Sequence, residues 1–103
     1  MKFCEYEFDG PVHDIGDLKN RAGVFLLCDD DGENLVVVDV EKTRDVRTAM
    51  EMQGRKGCWA IYVRNKPCLF VHYTPYEDEA RDMTLSIRQE CQPPCGAQLP
   101  SAD

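Results

Sequence analysis

Gly23-Val24-Phe25-Leu26-Leu27-Cys28 is an unbroken apolar run of strand length, and it constrains this chain more than any other feature. A half-buried strand alternates apolar and polar residues, whereas a continuous run belongs to a strand buried on both faces. Asp29-Asp30-Asp31-Gly32 follows and reads as a turn, with Gly32 free to take positive φ. Leu35-Val36-Val37-Val38-Asp39-Val40 is β-branched and reads as the next strand, so the two runs pair as an antiparallel hairpin.

A helix is expected to start near Thr43, where Val46, Ala49, Met50 and Gln53 fall at i, i+3, i+4 and i+7 on one stripe. Gly54-Arg55-Lys56-Gly57 is expected to end it. Residues 58–66 carry two readings. Trp59–Val63 is either a strand leading to a hairpin at Asn65-Lys66-Pro67 or a short helix. Cys68–Tyr73 reads as a strand. Thr74, Pro75 and Glu77 then form a capping box with proline at the first helical position. Acidic Glu77, Asp78 and Glu79 suit the positive end of that helix. Ala80, Met83, Thr84, Ile87 and Cys91 supply its buried face, and Pro93-Pro94 stop it. Asp9-Gly10-Pro11 marks an early turn. The expected fold is α/β, of the α+β type, in one domain over residues 1–103. A small three-stranded sheet is flanked by helices in the order β-β-α-(?)-β-α, and residues 97–103 form a tail.

The chain has 103 residues, 43% apolar and 30% charged, enough for one core. MKFCEYEFDG has no apolar run and does not read as a signal peptide. No stretch approaches the roughly 20 apolar residues of a membrane helix. A cytoplasmic location is therefore expected, with no membrane partner. In that compartment the six cysteines are expected as free thiols, because thiols there are kept reduced. Cys91-x-x-x-Cys95 lacks a second close Cys/His pair, so no metal or other cofactor is expected. The Asp29–Asp31 run with Glu33 lacks the ordered pattern of a calcium loop and is expected as a solvated turn. His13 and His72 have no catalytic partner by motif.

Net charge is −7, and its distribution is uneven. Residues 1–41 carry 3 basic and 11 acidic groups, for −8; residues 42–74 carry 7 and 2, for +5; residues 75–103 carry 2 and 6, for −4. Two kinds of partner are suggested: nucleic acid through the basic 42–66 region, and a basic protein through the acidic 1–41 region. Arg44, Arg47, Arg55 and Lys56 are the candidate phosphate contacts, and Trp59 is a candidate base-stacking ring.

Over residues 22–96 these landmarks resemble, in order, a bacterial branch of the GIY-YIG nuclease superfamily. Gly23-Val24-Phe25 stands where that family has Gly-Ile-Tyr, and Val38-Asp39-Val40-Glu41 stands for its second motif. Arg55-Lys56-Gly57-Cys58-Trp59, Tyr73-Thr74-Pro75 and Ile87-Arg88…Pro93-Pro94-Cys95-Gly96 follow. The resemblance implies tyrosines that position water, an arginine that stabilises charge on the phosphate, and a glutamate that holds one divalent metal. At the corresponding positions this chain has Phe25, Glu41, Ala49, Gln53 and Thr84 in place of Tyr, Gly, Arg, His and Glu. The expectation is an endonuclease-like domain with a degenerate active site, no catalytic residues and weak nucleic-acid binding. Two alternatives stand beside it. One is a small acidic protein-interaction or inhibitory, immunity-like module. The other is a nuclease using displaced residues, which alone would need Mg²⁺.

Overall fold

The structure is a computed structural model that describes residues 1–52 and 56–95. The apolar run forms the strand at its centre. In chain order the strands are β1 (Lys2–Phe3), β2 (Tyr6–Glu7), β3 (Asp9–Val12), β4 (Gly23–Asp30), β5 (Leu35–Thr43) and β6 (Pro67–Tyr73). A 3₁₀ turn spans Ile15–Asp17, and the helices are α1 (Val46–Glu51), α2 (Lys56–Tyr62) and α3 (Glu77–Cys91). β1 and β2 make a small hairpin, and the other strands form one antiparallel sheet in the order β3-β6-β4-β5.

β4 is hydrogen-bonded on both edges, and every residue from Gly23 to Asp29 is buried. Its even positions, Val24, Leu26 and Cys28, pack with Ala80, Met83 and Ile87 of α3 and with Phe8 and Phe70. Phe25 points to the other face, among Leu18, Val46, Met50, Leu69 and Val71 under α1. Gly23 opens the strand because a Cβ there would lie 2.3 Å from the His72 carbonyl oxygen.

The order β-β-α-(?)-β-α is the observed order from β4 to α3, and residues 56–62 resolve as helix α2. The sheet is four-stranded rather than three-stranded, because the segment expected as a turn, Asp9-Gly10-Pro11, belongs to edge strand β3. Proline is tolerated there, since an edge strand has one side with no ladder partner. Gly10 takes φ of 141°, and a Cβ would meet the Leu69 carbonyl and the Phe70 ring at 2.8 Å.

Three helix details also differ. β5 continues through Thr43, so α1 begins only at Val46, where the Asp45 carboxylate accepts the Thr48 N–H at 3.1 Å. Gly54 and Gln53 lie outside the described residues. Thr74 does not cap α3. Its N–H donates to the Ala22 carbonyl at 3.0 Å, its hydroxyl accepts the Tyr76 N–H at 3.1 Å, and the helix begins only at Glu77, after an extended Tyr76. Cys91 is exposed rather than buried, because α3 ends there and Gln92 turns left-handed at φ 46°.

The last departure concerns the cysteines. Cys58 and Cys95 form a disulfide, with a Cα separation of 6.1 Å, rather than two free thiols. Between Leu27 and Cys28 the β4–β5 register slips, so Val38 is an extra residue and Asp39 comes to lie opposite Leu27. On the outer edge of β5 the Val38 carbonyl accepts the Cys95 N–H at 2.9 Å. Cys58 and Cys95 pack with Leu27, Val38, Trp59 and Val63. The bond thus joins α2 to the strap after α3, a proximity that sequence spacing does not reveal. Replacing both Cys58 and Cys95 by Ser removes closure of a 37-residue loop. Urea unfolding should show a loss of about 3–4 kcal/mol.

Candidate functional site

Three strand ends meet at one end of the sheet: Gly23 of β4 lies opposite Thr43 of β5 and Tyr73 of β6. The residues that flank these ends form a rim, and the caps of α1 fix which side chains line it. The α1 amides of Val46 and Arg47 donate to the carbonyls of Arg21 and Lys19 at 2.9 and 3.3 Å. Asn20 donates its amide to Asp45 at 3.0 Å, which ties the same segment to the cap. The Lys19 N–H also donates to the Tyr73 hydroxyl at 2.8 Å. Segment 19–21 is thereby held so that the Lys19 ammonium and the Arg21 guanidinium each lie 5.7 Å from the Tyr73 ring centroid, a cation–π arrangement.

On the α3 side of the rim, Lys42 reaches Glu77 at 2.5 Å. The hydrogen bond and charge of Lys42, with help from Arg44 and Arg81, hold the Glu77 carboxyl below its usual range. Asp45 is also held low, first by the Thr48 N–H and then by the Asn20 amide, which together outweigh burial. A hollow of about 720 Å³ lies between the strand ends and the start of α3, lined in part by Lys42, Arg44, Thr74, Tyr76 and Glu77. Tyr76 is 69% exposed at its mouth.

Of the candidate phosphate contacts, Arg44 and Arg47 belong to this rim. Arg47 is engaged by Glu51 at 3.4 Å. Lys56 opens α2, and Arg55 lies outside the described residues. Trp59 sits elsewhere, half-buried in the layer under α2. Its indole N–H donates to the buried Asp39 carboxylate at 2.8 Å, and its ring meets Phe25 edge-on at 6.4 Å. Lys42 lies within the basic 42–66 region without being a named contact, and Lys19 and Arg21 were outside the candidates because they belong to the acidic N-terminal third.

Of the five positions singled out by the nuclease resemblance, the four described ones divide between the two faces of the sheet. Phe25 and Ala49 share the apolar cluster under α1, and Glu41 lies opposite Phe25 on β5. Thr84 lies in α3, across the sheet, with its hydroxyl donating to the Ala80 carbonyl at 2.8 Å. Gln53 is outside the described residues.

No known family model matches the chain, and no curated protein does.

The opposite end of the sheet is acidic, and its carboxylates serve the backbone. Asp31 accepts the N–H groups of Glu33 and Asn34 at 2.9 and 2.8 Å, and Asp30 accepts that of Gly32 at 2.9 Å. Burial raises the Asp29 carboxyl, but bonds from Asn65 and from the backbone of Arg64 and Lys66 outweigh it and hold the group low. Among the described residues no group of His, Cys, Asp and Glu is arranged to hold a metal ion. No described helix is long and apolar enough to cross a membrane.

Because Asp45 and Glu77 titrate lower in the folded chain than in the unfolded one, their contribution is present above the ordinary carboxylate range. It is lost as pH falls through that range. The thermal midpoint should therefore drop from about pH 5 downward, and Asp45→Asn should flatten that drop in scanning fluorimetry.

Proposed function

We propose that this chain is a non-cleaving GIY-YIG-like domain that contacts nucleic-acid phosphates through the basic rim. The observation that carries the reading is convergence. Lys19 and Arg21, from the acidic N-terminal third, stand at the same strand ends as Lys42, Arg44 and Arg47. Exposed Tyr76 beside the hollow offers a ring for an unpaired base. The absence of Tyr, Arg and Glu at the family's positions supports binding without cleavage. With Lys42 and Arg47 engaged by Glu77 and Glu51, Lys19, Arg21 and Arg44 carry most of the attraction, so binding is weak.

The test is fluorescence anisotropy with a labelled single-stranded oligonucleotide. Affinity should fall by about tenfold between 50 and 200 mM salt. The double variant Arg21→Glu/Arg44→Glu should bind at least about tenfold more weakly than wild type at the lower salt. Undetectable binding at the lower salt removes this reading and favours contact of the acidic regions with a basic protein. Supercoiled plasmid incubated with Mg²⁺ or Mn²⁺ should stay uncut, and metal-dependent nicking would replace the reading with an active nuclease. A cytoplasmic location belongs to the same proposal. Alkylation in intact cells tests it, because a fully oxidised Cys58–Cys95 pair points to an oxidising compartment.

A further inference from the structure

The hollow between the strand ends and the start of α3 is lined by groups of unlike chemistry. Arg44 brings an exposed guanidinium that, among the described residues, has no ion-pair or hydrogen-bond partner. Lys42, by contrast, is held by Glu77 at 2.5 Å. Glu77, Asp78 and Glu79 make the adjoining first turn of α3 acidic. Thr74 is only 4% exposed. Its hydroxyl accepts the Tyr76 N–H, and among the described residues the hydroxyl's own proton has no acceptor. That bond holds the backbone of Tyr76, whose ring stands exposed at the mouth.

We infer that this hollow binds one nucleoside monophosphate unit, with its phosphate on Arg44, its base against Tyr76 and its sugar between them. The inference rests on the rim reading for the phosphate contact and goes beyond it by committing to a base and to a single phosphate.

Each part of the ligand answers to one lining group. An unengaged guanidinium offers a planar fork of donors, and Arg44 can turn it to a phosphate without breaking an ion pair. An exposed tyrosine ring stacks on a base of any kind, since every base has a π-face. The hydrogen bond and charge of Lys42 keep Glu77 ionised, so that wall accepts hydrogen bonds and suits sugar hydroxyls. The buried Thr74 proton gains an acceptor in a ligand oxygen. The volume of about 720 Å³ falls within the roughly 300–1,000 Å³ of small-molecule pockets. The acidic turn sets the phosphate count. Further phosphates would add negative charge near Glu77, Asp78 and Glu79, with only the engaged Lys42 to offset it. This chemistry has two sources, a free nucleotide and an unpaired nucleotide of a strand.

Backbone amide shifts of the full chain are followed by NMR during titration with adenosine monophosphate. The changes should concentrate at Gly23, Arg44, Thr74, Tyr76 and Glu77. The monophosphate should bind at least about tenfold more tightly than adenosine or inorganic phosphate, and adenosine triphosphate should bind no more tightly than the monophosphate. Tyr76→Ala should weaken binding about tenfold, and Tyr76→Phe should not. Arg44→Gln should bring the monophosphate down to the affinity of adenosine. Both side chains are exposed, so the variants keep the fold, which unmoved amide shifts in β4 and β6 check. The inference is overturned if the triphosphate binds more tightly, as charge attraction alone requires, if inorganic phosphate or adenosine matches the monophosphate, or if the changes lie outside the hollow. Displacement of the labelled oligonucleotide by the monophosphate assigns the hollow to a strand's nucleotide, and binding without displacement assigns it to a free one. Oligonucleotide binding with these five amides unmoved by the monophosphate overturns this inference alone. Monophosphate binding with no oligonucleotide binding overturns the proposed function alone.

Discussion

Everything in this fold answers to the burial of β4 on both faces and along both edges. A strand in that position leaves no surface for a polar side chain until Asp29, and there the carboxylate is met by Asn65 and Lys66. The alternating positions decide where the helices go. Val24, Leu26 and Cys28 need α3, Phe25 needs α1, and Leu27 needs the layer formed by α2 and the Cys95 strap. With both edges taken, β3 and β5 become the edges of the sheet. One is interrupted by proline and the other is partly covered by the strap, two ways of blunting an exposed edge.

The slip at Val38 has consequences out of proportion to one residue. Without it, Asp39 would point toward α3 and the apolar cluster around Leu26 and Met83. With it, Asp39 lies opposite Leu27, where the Trp59 indole donates to the buried carboxylate. A buried carboxylate is tolerable only when donors replace its water, and α2 supplies this one. The same slip leaves the Val38 carbonyl facing outward, where it accepts the Cys95 N–H. One extra residue in β5 therefore seats α2 from inside through Trp59 and from outside through Cys58.

What the sequence made legible follows from this. β4, β5, β6 and α3 were readable because their burial is uniform or periodic, and both patterns survive without tertiary information. β3 was not, because Gly10-Pro11 has the composition of a turn, and only its pairing with β6 makes it a strand. The run from Trp59 to Val63 fitted two periods because its apolar residues are consecutive, and Ile61 and Tyr62 in fact face outward. The Thr74 box failed because the Ala22 carbonyl and the Tyr76 N–H claim Thr74 first. The disulfide was invisible because its two halves stand 37 residues apart, one in α2 and one after α3, and meet only beside the Val38 slip.

The basic rim was hidden in a different way, since its neighbour relations follow from a hairpin that was legible. In an antiparallel pair with Gly23 opposite Thr43, residues just before 23 must run alongside residues just after 43. Segment charge sums divide the chain at residue 41 and so separate Lys19 and Arg21 from Arg44 and Arg47. The register puts them back together. The same geometry weakens the argument from net charge. β4 has eight residues and spans on the order of 26 Å between the rim and the acidic turn. Screening at physiological salt decays over about 8 Å. The two ends are then electrically separate, and the overall −7 describes neither of them. At much lower salt the screening length approaches that separation, and the acidic end would begin to repel an anion placed at the rim. Any attraction of an anion to this rim would therefore be local, set by the few cations around Tyr73 and Arg44 rather than by the charge of the chain.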